Sequence, residues 1–179
     1  MVIQFNASGK EPFNGLSNFE EVDIEYEGKV FASVEHCYQA QRYGEEDKKR
    51  FTKEGDLGTW DGFAKVSEKS DEYWRKKRNI GIIAKMATHK EKVLGLKREY
   101  EIKDGYELWE PMLKEKFKDE RLRKILMDTK EEELVEFDRF ARTRGSYWGG
   151  NVIDGKIVGT NTMGKYIMRV RKEISISSA

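Results

Sequence analysis

The feature that most constrains the fold of this chain is a change of hydrophobic period at Ser33. Before it, VDIEYEGKVF forms two short runs around Glu27-Gly28, and VIQF near the amino terminus alternates weakly. These runs predict extended structure over residues 1–31, with a hairpin turn at Glu27-Gly28. From Ser33, a predicted N-cap, helical spacing continues to about Phe51 through Val34, Cys37, Tyr38 and Gln41. A small sheet is therefore followed by a helix.

The rest of the chain predicts mostly helices. A charged segment from Asp71 to about Tyr100 carries an apolar stripe that Gly81 and Gly95 weaken. Lys53 to Phe63 is rich in glycine and is predicted to be a loop with a packed Trp60. The remaining helices are predicted over residues 106–117, with Pro111 in the first turn, and over residues 119–127, 130–140 and 163–172.

Length and charge limit what the chain can be. Its 179 residues suit one domain, predicted to be α+β, predominantly helical with a small N-terminal β-sheet, over residues 1–174, with a frayed polar tail over 175–179. Its 34 basic and 33 acidic residues give a net charge of +1, so any nucleic acid must be held by a local patch. With no secretory signal and no membrane-spanning run, we expect a soluble, cytoplasmic protein without a membrane partner.

The chain is poor in metal ligands. Cys37 is its single cysteine, which excludes an internal disulfide and a cysteine-based metal cluster. Cys37 is predicted to be a small buried hydrophobe, because helix neighbours such as His36 point away from it. The two histidines, His36 and His89, are far apart in sequence. We therefore predict no metal site and no cofactor.

One face of the first predicted helix carries chemistry. Glu35, Gln39 and Arg42 follow one another at i, i+4 and i+7, with His36 beside them. One interpretation is a solvated helix face with an ordinary hydrogen bond between side chains. The other is a partly buried carboxyl, because the helix lacks the Lys and Glu that usually cover an exposed face. Burial would raise the pKa of Glu35 and make it a proton donor near neutrality.

Three further motifs have both a structural and a functional interpretation. Tyr147, Trp148 and the glycines after them favour either core packing or stacking on a base or sugar. The segment GTNTMG at residues 159–164 is typical of a helix start, which is either a simple cap or a phosphate site near Arg169 or Arg171. Trp109 and Lys116 share a helical spacing that is also common in purely structural helices.

Together these motifs resemble the NADAR family, which is related to NAD and ADP-ribose metabolism. The resemblance covers about 155 residues: LSNF (16–19), SVEHCYQAQR (33–42), LWEPMLKEKF with LRKILMDT and ELVE, YWGG (147–150) and GTNTMGKYIMRVR (159–171). It implies a YbiA-like fold and N-glycosidase activity. Some members cleave a base from ribose phosphate in riboflavin intermediates, and others remove ADP-ribose from guanine in DNA.

The resemblance also implies roles for single residues. Glu35 would be the catalytic carboxylate, Trp109 and Trp148 would shape a base or ribose pocket, and Asn18 and Asn161 would hold polar groups. The full predicted substrate-binding set is Asn18, His36, Gln39, Trp109, Tyr147, Trp148, Gly149, Asn161, Gly164 and Arg169. Cleaving a C–N glycosidic bond needs a proton for the leaving base and stabilisation of a cationic ribose.

The chain departs from the family pattern at two positions. Arg42 stands where the family usually has Lys, and a guanidinium cannot act as an amine nucleophile. Gly145 stands where the family tends to have Asp, after a longer ARTR segment. Lys116 is the candidate replacement for the amine and Asp138 for the carboxylate, so Glu35, Arg42, Lys116 and Asp138 form the predicted catalytic set.

We therefore predict an N-glycosidase acting on an ADP-ribosyl or ribosyl-phosphate conjugate of a base. ADP-ribosylated guanine in nucleic acid is preferred over the riboflavin intermediate, because no flavin-pathway enzyme is attached to this single domain. Two alternatives stay open: a module that binds ADP-ribose or a related nucleotide without cleaving it, and a charged helical interaction domain. The predicted partner is a small-molecule nucleotide or ADP-ribosylated nucleic acid, with protein partners undetermined.

Overall fold

The structure of the chain is a computed structural model that describes residues 1–67 and 79–177. It has two units, residues 18–116 and residues 1–17 with 117–179. Its strands are β1 (Val2–Phe5), β2 (Ile24–Tyr26), β3 (Lys29–Phe31), β4 (Glu133–Glu136), β5 (Asn151–Ile153) and β6 (Lys156–Val158). Its helices are α1 (Val34–Ala40), α2 (Glu45–Arg50), α3 (Trp60–Val66), α4 (Gly81–His89), α5 (Glu91–Leu94), α6 (Tyr106–Lys116), α7 (Glu120–Asp128), α8 (Ala141–Arg144) and α9 (Thr162–Ser177).

The predicted fold class is confirmed, since the structure is mixed and mostly helical with small sheets. In the unit of residues 18–116, β2 and β3 pair antiparallel around Glu27-Gly28, as the sequence predicts. Both turn residues have positive φ, 49° and 73°, which matches the twist of a tight hairpin. Helix α1 starts where predicted, because the Ser33 side chain accepts a hydrogen bond from the His36 backbone N–H.

Helix α1 is central to this unit and packs against α4 and α6. All seven of its residues are buried, so it has no face covered by solvated lysines or glutamates. Cys37 lies fully inside, as predicted, and burial raises the pKa of its thiol. The apolar core around α1 includes Phe31, Val34, Tyr43, Phe51, Ile83 and Met112.

The unit of residues 1–17 and 117–179 is built on a parallel pair of strands. β1 pairs with β4, with Ile3 opposite Leu134 and Phe5 opposite Glu136. Helix α9 packs on β4, and α7 packs on the short 3₁₀ turn Phe13–Leu16. The buried apolar side chains between these elements are Phe5, Leu16, Leu122, Leu126, Leu134, Val135, Ile167 and Val170.

The predicted helix over residues 71–100 is wrong beyond Leu94. Residues 71–78 lie outside the described ranges, and α4 and α5 cover 81–94 with a break at Lys90. Gly95 ends the helix because it adopts a left-handed backbone (φ 66°), and its N–H bonds to the Glu91 carbonyl. This is the glycine stop that helices commonly use, and residues 96–105 are not helical.

The predicted helix over residues 130–140 is also wrong, because this segment contains the strand β4. Lys130 has a positive φ of 48° just after α7, which no continuing helix allows. The segment then becomes extended because β1 offers it a parallel partner. Leu134 and Val135 are both buried in this position.

Smaller differences concern the ends of elements. Residues 1–31 are only partly extended, because the 3₁₀ turn interrupts them, and the first helix divides into α1 and α2 at the extended Gly44. The predicted loop ends at Thr59, which caps α3, so Phe63 is helical and Trp60 is half-buried. Pro111 lies inside α6 rather than in its first turn, and α9 remains helical through Ser177. Among the described helices, none is long and apolar enough to cross a membrane.

Candidate functional site

Glu35 and Gln39 of helix α1 form one hydrogen-bonded row with Arg42, which lies in the turn directly after the helix. The Gln39 amide Nε2 donates to Glu35 Oε1 at 2.8 Å, and Arg42 Nε donates to Gln39 Oε1 at 2.8 Å. The two bonds fix which end of the Gln39 amide faces each neighbour. The helical spacing therefore places an acid, an amide and a cation in line, as the sequence predicts.

Glu35 is a buried carboxyl, so the solvated-face interpretation is wrong for this helix. Its side chain is 8 % exposed and that of Gln39 is 9 % exposed. Burial raises the pKa of Glu35, while the Gln39 hydrogen bond and the charges of Lys85 and Arg42 oppose that rise. The net direction is upward, so Glu35 holds a proton at a higher pH than an ordinary glutamate does.

Lys85 is a residue that sequence analysis missed. It lies on the exposed side of α4, and its Nζ is 5.7 Å from the centre of the Phe19 ring. Its charge acts on Glu35 because α4 packs against α1. In the sequence it is one of many lysines in a charged stretch, so only the packing of the two helices singles it out.

An aromatic stack supports the Arg42 end of the row. The Tyr38 ring stacks on Trp109 of α6, with centroids 4.2 Å apart, and the Arg42 guanidinium lies 5.4 Å from the Tyr38 centroid. The Tyr38 hydroxyl donates to Asp104 Oδ1 at 2.8 Å. Trp109 itself is buried, so it supports the row from behind Tyr38. The sequence predicts Tyr38 only as part of the helical core pattern, and it carries no signal for Asp104.

Asn18 approaches Glu35 from the segment before β2. Its backbone carbonyl accepts a hydrogen bond from the Glu35 N–H at 3.0 Å. Its side chain is buried, yet among the described residues nothing donates a hydrogen bond to Oδ1. A buried amide oxygen without a donor is costly, so this atom is a candidate acceptor for a ligand O–H or N–H.

Two predicted site residues are instead structural. His36 is fully buried, with Nδ1 2.8 Å from Ser33 Oγ and Nε2 2.9 Å from the Leu57 carbonyl. Because a carbonyl can only accept, Nε2 carries the hydrogen and Nδ1 accepts from the serine. Both nitrogens are therefore occupied and none is left for a substrate. Lys116, the predicted replacement amine, is also fully buried at the end of α6, which contradicts a role as an accessible nucleophile.

The His36 ring is expected to stay neutral until the pH falls to about 4, because burial lowers its pKa to about that value. An ordinary histidine protonates near 6.5, so the unfolded chain takes up this proton first. The contribution of neutral His36 to the free energy of unfolding should therefore be fully present above about pH 6.5 and fall as the pH drops towards 4. An NMR titration of the His36 imidazole signals measures the midpoint; a value near 6.5 would contradict the buried arrangement.

In the other unit, Asn161 and Gly164 join α9 to β4. Asn161 Nδ2 donates to the Leu134 carbonyl at 2.8 Å, and its Oδ1 accepts from the Glu136 N–H at 3.1 Å. A Cβ on Gly164 would lie 2.3 Å from the same Leu134 carbonyl. The Asn161 amide thus bonds β4 at both its nitrogen and its oxygen, and Gly164 allows a close backbone approach, so both residues pack α9 on β4. A substrate contact by either residue stays a prediction.

The phosphate site predicted near Arg169 does not form at the start of α9. Arg169 lies seven residues beyond Thr162, about 10 Å along the helix, and its Nε donates to Glu173 Oε1 at 3.2 Å. The alternative, Arg171, is buried and donates to Thr129 Oγ1 and to the Glu132 carbonyl. Neither guanidinium is beside the helix start.

The YWGG motif is partly accessible. Tyr147 is 51 % exposed, and its ring meets that of Trp148 edge to face with centroids 4.8 Å apart. Gly149 is buried, and a Cβ there would lie 2.5 Å from the Glu136 carbonyl, so it packs rather than binds. Asp138 Oδ1 accepts from the Phe140 N–H at 2.8 Å and so shapes the start of α8. A catalytic role for Asp138 and a stacking role for the two rings remain predictions.

The described part of the chain has no cluster of side chains suited to a metal ion. Within residues 1–67 and 79–177, no three His, Cys, Asp or Glu side chains come together in an arrangement that could hold a metal ion.

The fold belongs to a known class. It matches the solution NMR structure of the Escherichia coli protein YbiA with a TM-score of 0.58 at 22 % identity, over 99 % of this chain and 86 % of that chain. None of the curated proteins matches this chain. A sequence model of the NADAR domain matches residues 4–175, so the chain belongs to the NADAR family, as its motifs predict. That family is associated with N-glycosidase activity.

Proposed function

We propose that this protein is an N-glycosidase that cleaves the bond between a base and the ribose of an ADP-ribosyl or ribosyl-phosphate conjugate. The observation that supports the proposal is the environment of Glu35. It is a buried carboxyl with a raised pKa, held at the start of α1 by Gln39 and the Asn18 carbonyl. Perturbed carboxyls of this kind are enriched at catalytic sites, where they serve as acids and bases.

In the proposed reaction Glu35 acts first as an acid. As the C1′–N bond breaks, its electron pair moves to the base nitrogen, which takes the proton from Glu35. The carboxylate that remains stabilises the positive ribose. It then accepts a proton from the water that adds to C1′, so Glu35 regains its proton. The products are the base, which stays in its strand where the substrate is an oligonucleotide, and the ribose with a hydroxyl at C1′.

Arg42 and Asn18 are proposed to bind the substrate beside Glu35. Arg42 uses Nε for Gln39 and Nη2 for a long contact with the Tyr38 hydroxyl, and Nη1 makes no hydrogen bond within the described residues. A guanidinium anchored in this way suits a phosphate oxygen. Asn18 Oδ1, which lacks a donor, would accept from a ribose hydroxyl or a base N–H.

The preferred substrate is ADP-ribosylated guanine in nucleic acid, and the second is a ribosylaminopyrimidine phosphate. One panel tests both: the purified protein is incubated with a guanine-ADP-ribosylated oligonucleotide and with the pyrimidine conjugate, and the products are resolved by mass spectrometry. We expect an oligonucleotide with intact guanine together with free ADP-ribose. Release of the pyrimidine alone would replace the preferred substrate with the second.

A nucleotide-binding module without activity is the second candidate function. It is favoured by Arg42 at a position where the family usually has Lys and by the complete burial of Lys116. Saturable binding of ADP-ribose in a thermal-shift titration, with both substrates intact, would support the module and overturn the glycosidase. If the protein neither binds ADP-ribose nor cleaves either substrate, both functions are overturned and the charged helical interaction domain remains.

A further inference from the structure

Residues 139–148 form a basic segment in a chain of almost balanced charge. They contain three arginines, three aromatic residues and no acid, in the order RFARTRGSYW, whereas the whole chain has a net charge of +1. We call residues 139–148 the arginine–aromatic segment. It includes the ARTR stretch in which the chain departs from its family pattern, and nothing in the proposed chemistry at Glu35 uses it.

The arginines of this segment are exposed, and no described acidic side chain pairs with them. Arg139, Arg142 and Arg144 all face solvent. Among the described residues, none of the three guanidinium groups pairs with a carboxylate. Those of Arg139 and Arg144 lie over the same Phe140 ring, 4.5 and 4.1 Å from its centre. Like charges gathered on one ring repel one another, and an anion beside them would remove that repulsion.

The aromatic residues of the segment are also accessible. Phe140 is 39 % exposed and Tyr147 is 51 % exposed, which makes them two of the largest exposed apolar side chains in this unit. Exposed rings next to unpaired arginines match the way proteins hold single strands, with phosphates on the cations and bases stacked on the rings. A duplex would present the phosphates but not the base faces, and an acidic peptide would present carboxylates but no planar rings.

We propose that the arginine–aromatic segment binds single-stranded nucleic acid, with its arginines on the phosphates and Tyr147 against a base. This inference goes beyond the proposed function, because strand binding by these residues does not require cleavage at Glu35.

The direct test is binding of an unmodified, fluorescein-labelled oligothymidylate, followed by fluorescence anisotropy at several salt concentrations. The triple variant Arg139→Gln, Arg142→Gln, Arg144→Gln should bind at least about tenfold more weakly at low salt. Its plot of log K against log salt should be shallower by about 2, because three phosphate contacts are lost. The matched control is Lys124→Gln, Lys130→Gln, Lys172→Gln, which removes the same charge from exposed positions and should change affinity less than about twofold.

A second variant separates stacking from charge. Tyr147→Ala should weaken binding about tenfold without changing the salt slope, because a ring is lost and every cation is kept. Tyr147 is exposed, so its loss should leave the thermal unfolding temperature nearly unchanged. An equal loss in the lysine control, or an unchanged affinity in the arginine variant, would overturn the proposal. Equal competition by duplex DNA or polyglutamate would also overturn it, in favour of a general anion surface.

The outcomes distinguish this proposal from the proposed function. If no conjugate is cleaved but the arginine variant loses strand binding, the segment binds single strands and the glycosidase fails. If conjugates are cleaved and the arginine variant binds the oligothymidylate as tightly as the wild type, the glycosidase stands and the strand-binding proposal fails. Cleavage of a mononucleotide conjugate should be the same in the arginine variant and the wild type.

Discussion

Replacing Glu35 with Gln is expected to lower the rate of base release by about two to four orders of magnitude, the usual effect of removing a catalytic acid. The amide has the same shape as the carboxyl, and its oxygen can still accept the hydrogen bond from Gln39. It cannot, however, give a proton to the leaving base or stabilise a cationic ribose. Single-turnover cleavage, measured by mass spectrometry, follows the loss, while substrate affinity should change little.

The stability of the same variant checks that a lost rate is not a lost fold. Burial raises the pKa of Glu35, so the folded chain holds this proton more tightly than the unfolded chain does. This tighter hold on the proton adds to the free energy of unfolding below the ordinary glutamate pKa, and the added stability is lost as the pH rises through the raised pKa. Above it, Glu35→Gln should therefore be at least as stable as the wild type. The control is Glu25→Gln on the exposed side of β2, which should cleave normally.

Two results would contradict the role of Glu35. One is cleavage by Glu35→Gln at a rate close to that of the wild type, which would place the acid elsewhere. The other is a loss of cleavage accompanied by a lower unfolding temperature and by a loss of substrate binding, which would make Glu35 a structural residue. A folded variant that binds but does not cleave is the outcome that only the catalytic role predicts.

The sequence could predict the row of Glu35, Gln39 and Arg42 because the arrangement of these side chains depends only on residues close to them in sequence. Glu35 and Gln39 lie one turn apart in α1, Arg42 follows in the turn after the helix, and the Ser33 cap fixes where the helix begins. Local composition favoured a partly buried Glu35 as one of two interpretations, since the helix lacks the Lys and Glu that usually cover an exposed face, and the packing of the unit decides for burial. The hairpin at Glu27-Gly28 was predictable for the same reason, because it depends on two adjacent residues. Both adopt the positive φ angles that this turn type requires.

What the sequence could not predict depends on contacts between distant segments. β4 becomes a strand because β1, at the opposite end of the chain, supplies a parallel partner. Lys85 acquires its effect on Glu35 only through the packing of α4 on α1. The burial of Lys116 likewise follows from tertiary packing, which a helical spacing does not contain.

The motif GTNTMG could not be interpreted from the sequence for a different reason. The same small and polar residues are suited both to ligand binding and to close packing. Asn161 and Gly164 resemble a phosphate-binding helix start in sequence, yet they fasten α9 to β4. A family motif can therefore be retained for folding rather than for binding. The two roles give opposite expectations for stability when the glycine acquires a side chain.

Gly164→Ala is expected to lower the free energy of unfolding by about 3 kcal/mol, at the upper end of what overpacking a tight contact costs. The new Cβ would meet the Leu134 carbonyl at 2.3 Å and the Asn161 amide at 2.4 Å, and both groups are already held by their mutual hydrogen bond. Intrinsic helix preference acts in the other direction and favours alanine by about 1 kcal/mol. Urea unfolding at equilibrium measures the difference.

The matched control is Gly105→Ala, just before α6. There the nearest atom is the Glu107 carboxylate oxygen at 3.0 Å, at the end of a side chain that can move, so the cost should stay below about 1 kcal/mol. Equal stability of the wild type and Gly164→Ala, together with weaker substrate binding, would restore Gly164 to the binding site. A destabilised variant that binds substrate normally below its unfolding temperature would instead establish that this glycine is required for packing α9 on β4.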